Sequence, residues 1–271
     1  APQETVDQLV NLYNLGQFST VIEQAQYITK QYPNTFIVWN ILGASSTQIG
    51  KLDEAIKAYK KSITLKPDYT IAYNNMGNAL KDQGKLEEAI EAYKKSIALK
   101  PDYVDAFNNM GVALKYQGKL EEAIEAYNKS ITLKPDYPEA YNNMGLTFHD
   151  QGKLNEAIEV FKKAVLLKPD YPEAYHNIGL TFHDQGKLKE AIEAFKKAIS
   201  LKPDYAFAYS NMGLSFYDQG KLDEAIEVYR KSIALKPDHP EAYYNMGIAF
   251  QGQGNLDEAI EAYNKSIEIK P

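Results

Sequence analysis

The sequence predicts an all-α protein, an α-solenoid of eight helix-turn-helix hairpins, and three observations carry that prediction. First, GKLDEAI at Gly50, GKLEEAI at Gly84 and Gly118, and close variants at Gly152, Gly186, Gly220 and Gly254 recur with a spacing of 34 residues, a period that marks a repeat architecture. Second, within one unit the apolar and small residues run twice at helical steps, through Tyr73, Met76, Gly77 and Leu80 and then through Leu86, Ala89, Ile90, Tyr93 and Ile97. Third, fifteen of sixteen glycines fall at repeat position 8 or 15, and all twelve prolines fall at position 32 or position 1. Residues that end helices therefore stand only where the periodicity says a helix ends.

Seven clear units follow, 36–69, 70–103, 104–137, 138–171, 172–205, 206–239 and 240–271, with a weaker one at 2–35. In each, the first run predicts helix A. Glycine at position 15 suits a left-handed C-cap, the second run predicts helix B, and proline at position 32 stops it. Asp136, Asp170 and Asp238 precede Glu139, Glu173 and Glu241 by three residues, the spacing of a capping box opening helix A. Early glutamates such as Glu87, Glu88 and Glu91 and late lysines such as Lys94, Lys95 and Lys100 complement the helix dipole, and Glu91 with Lys95 predicts an i,i+4 pair. Glycine at position 8 and alanine at position 20 predict close approach of helices A and B, with the ring at position 24 filling space towards the next hairpin. A single hairpin cannot bury its apolar face, so the expectation is one solenoid over 1–271 stabilised by stacking.

The end units depart from this pattern in different ways. Unit 2–35 has Thr5, Leu9, Val21 and Ala25 where others have an aromatic, glycine, alanine and an aromatic, and reads as an N-terminal cap. At the other end Ala259, Tyr263 and Ile267 lie on a final helix B with no polar helix after it, which suggests self-association through that hairpin or further protein beyond it.

Tryptophan or tyrosine at position 4 (Trp39, Tyr73), glycine at 8 and 15, alanine at 20 (Ala55, Ala89), tyrosine at 24 (Tyr59, Tyr93) and proline at 32 (Pro67, Pro101) together resemble the tetratricopeptide repeat. The resemblance covers almost the whole chain. It implies a right-handed superhelix in which helix A faces a groove lined by positions 2, 5, 6, 9, 12 and 13, which share one helical face. It also implies a scaffold that binds protein or extended peptide.

Position 6 is asparagine in six consecutive units, Asn75, Asn109, Asn143, Asn177, Asn211 and Asn245. Interior helical asparagine costs about 0.5–0.7 kcal/mol relative to alanine, so something is expected to compensate. Neighbouring position 5 has diverged through Asn74, Asn108, Asn142, His176, Ser210 and Tyr244. An amide offers donors and an acceptor, so a row of them can pair with peptide groups whatever the ligand sequence. The row is similar to the asparagine ladder of the repeat arm of O-linked N-acetylglucosamine transferases. Structural capping and simple duplication are the competing explanations. Position 9 adds an apolar stripe through Leu146, Leu180, Leu214 and Ile248, which alternatively only covers helix B. Asp150, Asp184 and Asp218 at position 13, with Asp105, Glu139, Glu173 and Glu241 at position 2, would give an acidic rim. The expected ligand is thus an extended polypeptide with basic and apolar side chains.

Composition narrows the alternatives. With 44% hydrophobic and 24% charged residues the chain should fold, while a net charge of -6 argues against nucleic acid or anionic membrane. Cysteine is absent, which fits a reducing cytoplasm and excludes thiolate metal sites. His149 and His183 at position 12 lie one repeat apart, too distant to share a zinc ion, and all five methionines sit at position 7 as core fillers. No phosphate loop or nucleophile elbow is present, and hydroxyls such as Ser62, Ser96 and Ser130 recur at packing positions. No catalysis, cofactor or metal is expected in this chain. The lysines that clamp the carboxylates of chaperone tails are replaced by asparagine or acids, which excludes that partner class. The alternative reading is the substrate-recognition arm of a larger transferase.

Overall fold

The computed structural model describes residues 1–270, leaving Pro271, the last residue of the predicted unit 240–271, outside them. The described residues form sixteen α-helices, two per predicted unit. They gather into two compact units, Ala1–Pro135 and Asp136–Pro271.

The first unit holds α1 (Gln3–Asn14), α2 (Phe18–Gln31), α3 (Phe36–Gln48), α4 (Leu52–Leu65), α5 (Thr70–Asp82), α6 (Leu86–Leu99), α7 (Val104–Tyr116) and α8 (Leu120–Leu133). The second holds α9 (Pro138–Asp150), α10 (Leu154–Leu167), α11 (Pro172–Asp184), α12 (Leu188–Leu201), α13 (Ala206–Asp218), α14 (Leu222–Leu235), α15 (Pro240–Gln253) and α16 (Leu256–Ile269). Within each unit odd-numbered helices are A and even-numbered helices are B. Inside each unit, each A packs on its own B, and each B packs on the A that follows it in that unit.

The turn from A to B is made by glycine at position 15, with φ between 72° and 81° in all eight hairpins. At Gly84 its N–H bonds to Lys81 O at 2.8 Å, and Lys85 N–H bonds to Leu80 O at 2.9 Å, which closes the last turn as a Schellman motif. Glycine at position 8 has a different cause. A Cβ on Gly179 would stand 2.6 Å from Cε1 of Phe195, and the same conflict recurs from Gly43 with Tyr59 to Gly247 with Tyr263. The position-24 ring lies on the glycine of its own hairpin and also reaches onward, since Phe161 shares a core cluster with Ile178 of the next unit.

Unit 2–35 solves the same packing problem in reverse. Leu9 stands at position 8 and Ala25 at position 24, both fully buried, so large and small side chains have changed places across the hairpin and volume is kept. The outer face of α1 is exposed and polar through Gln3, Glu4, Asp7 and Asn11.

Two local expectations need correction. No capping box forms, because the N-cap residues of α9, α11 and α15 are Tyr137, Tyr171 and His239, and none makes a side-chain cap bond. Proline at N1 sets the helix start one residue later than the box requires, and Glu139 and Glu173 instead approach Lys168 and Lys202 at 3.7 and 3.9 Å. Glu91 pairs with Lys94 at 2.9 Å rather than with Lys95. Both partners are exposed, so the pair adds a few tenths of a kcal/mol at most.

Candidate functional site

The six position-6 asparagines are all half-buried on the outer face of helix A, while the position-5 residues Asn74, Asn108, Asn142, His176 and Ser210 beside them are buried. Hydrogen bonds join the two positions across consecutive hairpins. Asn75 Nδ2 donates to Asn40 Oδ1 at 3.5 Å, Asn109 Nδ2 to Asn74 Oδ1 at 3.1 Å, and Asn177 Nδ2 to Asn142 Oδ1 at 3.0 Å. Asn211 Nδ2 donates to His176 Nε2 at 2.9 Å. With the amide nitrogen as donor, Nε2 is the acceptor of this bond. Asn143 is engaged as well. Asn245, preceded at position 5 by Ser210, makes no such bond among the described residues.

The chemistry explains why position 5 varies while position 6 does not. Position 5 has only to present an acceptor, which amide oxygen and imidazole nitrogen both supply, whereas position 6 must donate. A net hydrogen bond contributes about 0.5–1.5 kcal/mol, enough to offset the propensity cost of about 0.5–0.7 kcal/mol. Asparagine at Asn75, Asn109, Asn177 and Asn211 is thus accounted for inside the array. Each bond also fixes its amide. It leaves Oδ1 of Asn75, Asn109 and Asn211 without another protein partner among the described residues.

His176 is held between the rings of Phe195 and Tyr205, with centroids 5.6 and 5.0 Å away. Desolvation there lowers its pKa from 6.5 to about 4, against smaller opposing contributions from Asn177 and Glu173.

The position-9 residues Leu146, Leu180, Leu214 and Ile248 are half-buried. Leu146 packs on Ala157, Phe161 and Ile178, and Leu180 on Ile192, Phe195 and Met212. At the equivalent place Asn78 Oδ1 accepts from Tyr93 Oη at 2.7 Å. Position 9 therefore covers helix B and shows the face only part of each side chain.

The acidic residues are also engaged. His149 Nε2 lies 2.8 Å from Asp184 Oδ2, and His183 Nε2 lies 2.8 Å from Asp218 Oδ2. Asp150 has a partner too. The sequence places these histidines too far apart to share an ion, and each is tied instead to the aspartate of the following unit. The buried position-5 acceptor row was missed. Its signal was the exchange of asparagine for histidine, two acceptors of different shape. Among the described residues no group of three or more histidine, cysteine or acidic side chains could hold a metal ion, and no helix is long and apolar enough to cross a membrane.

Along the chain, the family described as TPR repeat matches residues 43–84, 77–117, 113–152, 145–186, 179–220 and 213–254, and the family described as tetratricopeptide repeat matches 240–271. The chain belongs to the tetratricopeptide repeat family. Proteins of this repeat are typically interaction scaffolds, and neither matching family describes a catalytic domain. Among solved structures the chain is similar to MamA, at 36% identity over 59% of this chain and 94% of that one, with a TM-score of 0.55. The fold is also that of a chain in the structure of the APC/C hetero-tetramer Cut9-Hcn1, at 20% identity over 89% of this tetratricopeptide chain and 48% of that one, with a TM-score of 0.72. YrrB, described as a TPR protein with an unusual peptide-binding site, shares the fold at 24% identity over 69% of this chain and 97% of that one, with a TM-score of 0.55. No curated protein matches.

Proposed function

We propose that this chain is a protein-interaction scaffold, a continuous solenoid that holds an extended polypeptide along the helix-A face through the asparagine row. The observation that carries the reading is the oriented row itself. Inter-hairpin bonds hold Asn75, Asn109 and Asn211 by Nδ2 and leave each Oδ1 as an acceptor. Peptide N–H groups and basic side chains are the donors that such a row suits. The half-buried Leu180, Leu214 and Ile248 alongside offer apolar contact, and Asp150, Asp184 and Asp218 favour cationic side chains. That the family serves interaction and that YrrB is described as peptide-binding support the reading.

The test is to select binding peptides from a random library, then measure their affinity for Asn143→Ala/Asn177→Ala. A folded double variant with undiminished affinity would remove the row from the mechanism.

A second reading, self-association, is favoured by α16. Leu256, Ile260 and Ile267 are about 60% exposed there, whereas Ile226, the equivalent of Ile260 on α14, is 6% exposed beneath α15. We propose that this face of α16 receives another helix. Sedimentation of the chain across a concentration series tests whether a second copy supplies it, and a monomer throughout would reject self-association.

A further inference from the structure

Helix B of one hairpin and the two helices of the next enclose a cleft on the side of the array away from position 6. Between α2, α3 and α4 it measures about 400 Å³, against about 370, 210 and 180 Å³ for its counterparts over α4–α6, α6–α8 and α14–α16. A further groove over α14 and α16 is larger, about 590 Å³, but polar, lined by Asp223, Glu227 and Glu258 among others. A volume of about 300–1,000 Å³ is the range of small-molecule sites. Three departures from an otherwise uniform repeat meet in the cleft between α2, α3 and α4.

Position 4 is Trp39, the only tryptophan in the chain. Its Nε1 donates to Pro33 O at 2.8 Å, which fixes the indole as an apolar wall beside Leu42 and Ala58. Position 11 is Ser46, where the three counterparts have Leu80, Leu114 and Phe250. Ser46 is fully buried and its hydroxyl has no hydrogen-bond partner among the described residues, a condition that costs stability unless something in the cleft meets it. Position 22 is Lys57, where the counterparts have Glu91, Glu125 and Glu261.

That last exchange changes the sign of the rim. Each of the three counterparts carries at least as many acids as cations. This cleft has Lys30 and Lys57 against Glu54 alone, and Glu54 lies 3.9 Å from Lys51 outside it. Neither Lys30 nor Lys57 has an ion pair among the described residues. An apolar wall and floor beneath two uncompensated ammonium groups complement a flat apolar body that ends in an anion.

We propose that the cleft between α2, α3 and α4 binds a small aromatic carboxylate of the arylalkanoate class, with the ring on Trp39 and the carboxylate between Lys30 and Lys57. The same chemistry is carried by a free metabolite and by the C-terminal phenylalanine of a protein. Binding there is independent of the asparagine row.

Trp39 supplies its own reporter. Its emission, excited where tyrosine does not absorb, is followed while 3-phenylpropionate, the peptide Gly-Gly-Phe or 2-phenylethanol is added to the full chain. A saturable change with 3-phenylpropionate, with a dissociation constant of about 1 mM or tighter, supports a free ligand. Saturation by the peptide alone supports a protein C-terminus. Lys57→Glu and Ser46→Leu restore side chains that the counterpart clefts already accommodate, so both should fold, and each is expected to weaken binding at least about tenfold. No saturation by either acid overturns the proposal. So does equal binding of 2-phenylethanol, or binding unchanged in both variants.

Discussion

Asn177 donates its side-chain N–H to Asn142 Oδ1 across 35 residues of chain, at 3.0 Å, and the acceptor is buried while the donor is half-exposed. Removing the donor therefore strands a buried oxygen, and removing the acceptor does not strand the donor to the same degree. Asn177→Ala should destabilise the chain by about 1–2 kcal/mol, the cost of an unsatisfied buried group less the gain in helix propensity. Asn142→His, which copies the His176 arrangement, should keep the bond and cost less. Denaturant midpoints of the two variants at neutral pH decide this, and equal losses would mean that the bond contributes nothing.

Glycine at positions 8 and 15 should fail differently. Gly179→Ala drives a Cβ to 2.6 Å from the fully buried Phe195 ring, an overpacking that typically costs about 1–3 kcal/mol. A Cβ on Gly186 would meet nothing within 4 Å, but the backbone there has a φ of +72°, so Gly186→Ala should cost about 1 kcal/mol through backbone strain alone. Adding Phe195→Leu should recover part of the first loss and none of the second. Thermal unfolding of the four variants provides the check.

His176 gives the chain a pH dependence of defined sign. Its folded pKa, about 4, lies below the ordinary 6.5 because burial disfavours the cation. Between those values the unfolded chain binds the extra proton, so this contribution is intact above about pH 6.5 and falls away towards pH 4, by on the order of 3 kcal/mol. His239, also lowered by desolvation, acts in the same direction. His176→Asn should flatten the wild-type decline of stability over this interval. An identical pH profile in the variant would show that His176 is not the titrating group.

Ser96 Oγ donates to Thr70 O at 3.1 Å and is fully buried. Units 138–171 and 172–205 carry Ala164 and Ala198 at the same place, also fully buried. Ser96→Ala should therefore fold normally and cost no more than about 1 kcal/mol. Ser96→Val, with more volume against helix A, should cost more, and calorimetry of both separates the hydrogen bond from the packing.

Helix number, the A and B assignment and the glycine turns were legible because each rests on local chemistry repeated seven times. The capping box was misread because the aspartate-to-glutamate spacing alone does not say where the first helical residue falls, and Pro138 and Pro172 place it one step later. Asn75 to Asn245 were legible as a row, but the partners of Asn75, Asn109, Asn177 and Asn211 were not. A hydrogen bond from position 6 to position 5 of the preceding hairpin depends on how two hairpins stack, which no single unit encodes. Leu146 and Leu180 were weighed between stripe and cover for the same reason, and their packing on Phe161 and Phe195 settles only their inner sides. Trp39, Ser46 and Lys57 were visible as departures from the repeat. That they line one cleft follows only once α2, α3 and α4 are in place.

The bonds from position 6 to position 5, like those from position 12 to position 13, always span 35 residues. Excision of residues 172–205 would bring Asn211 opposite Asn142 and Asp218 opposite His149, each a pairing the chain already uses. Loss or gain of a whole repeat is thus nearly silent at its junction, and the array can change length by recombination without first acquiring a compensating substitution.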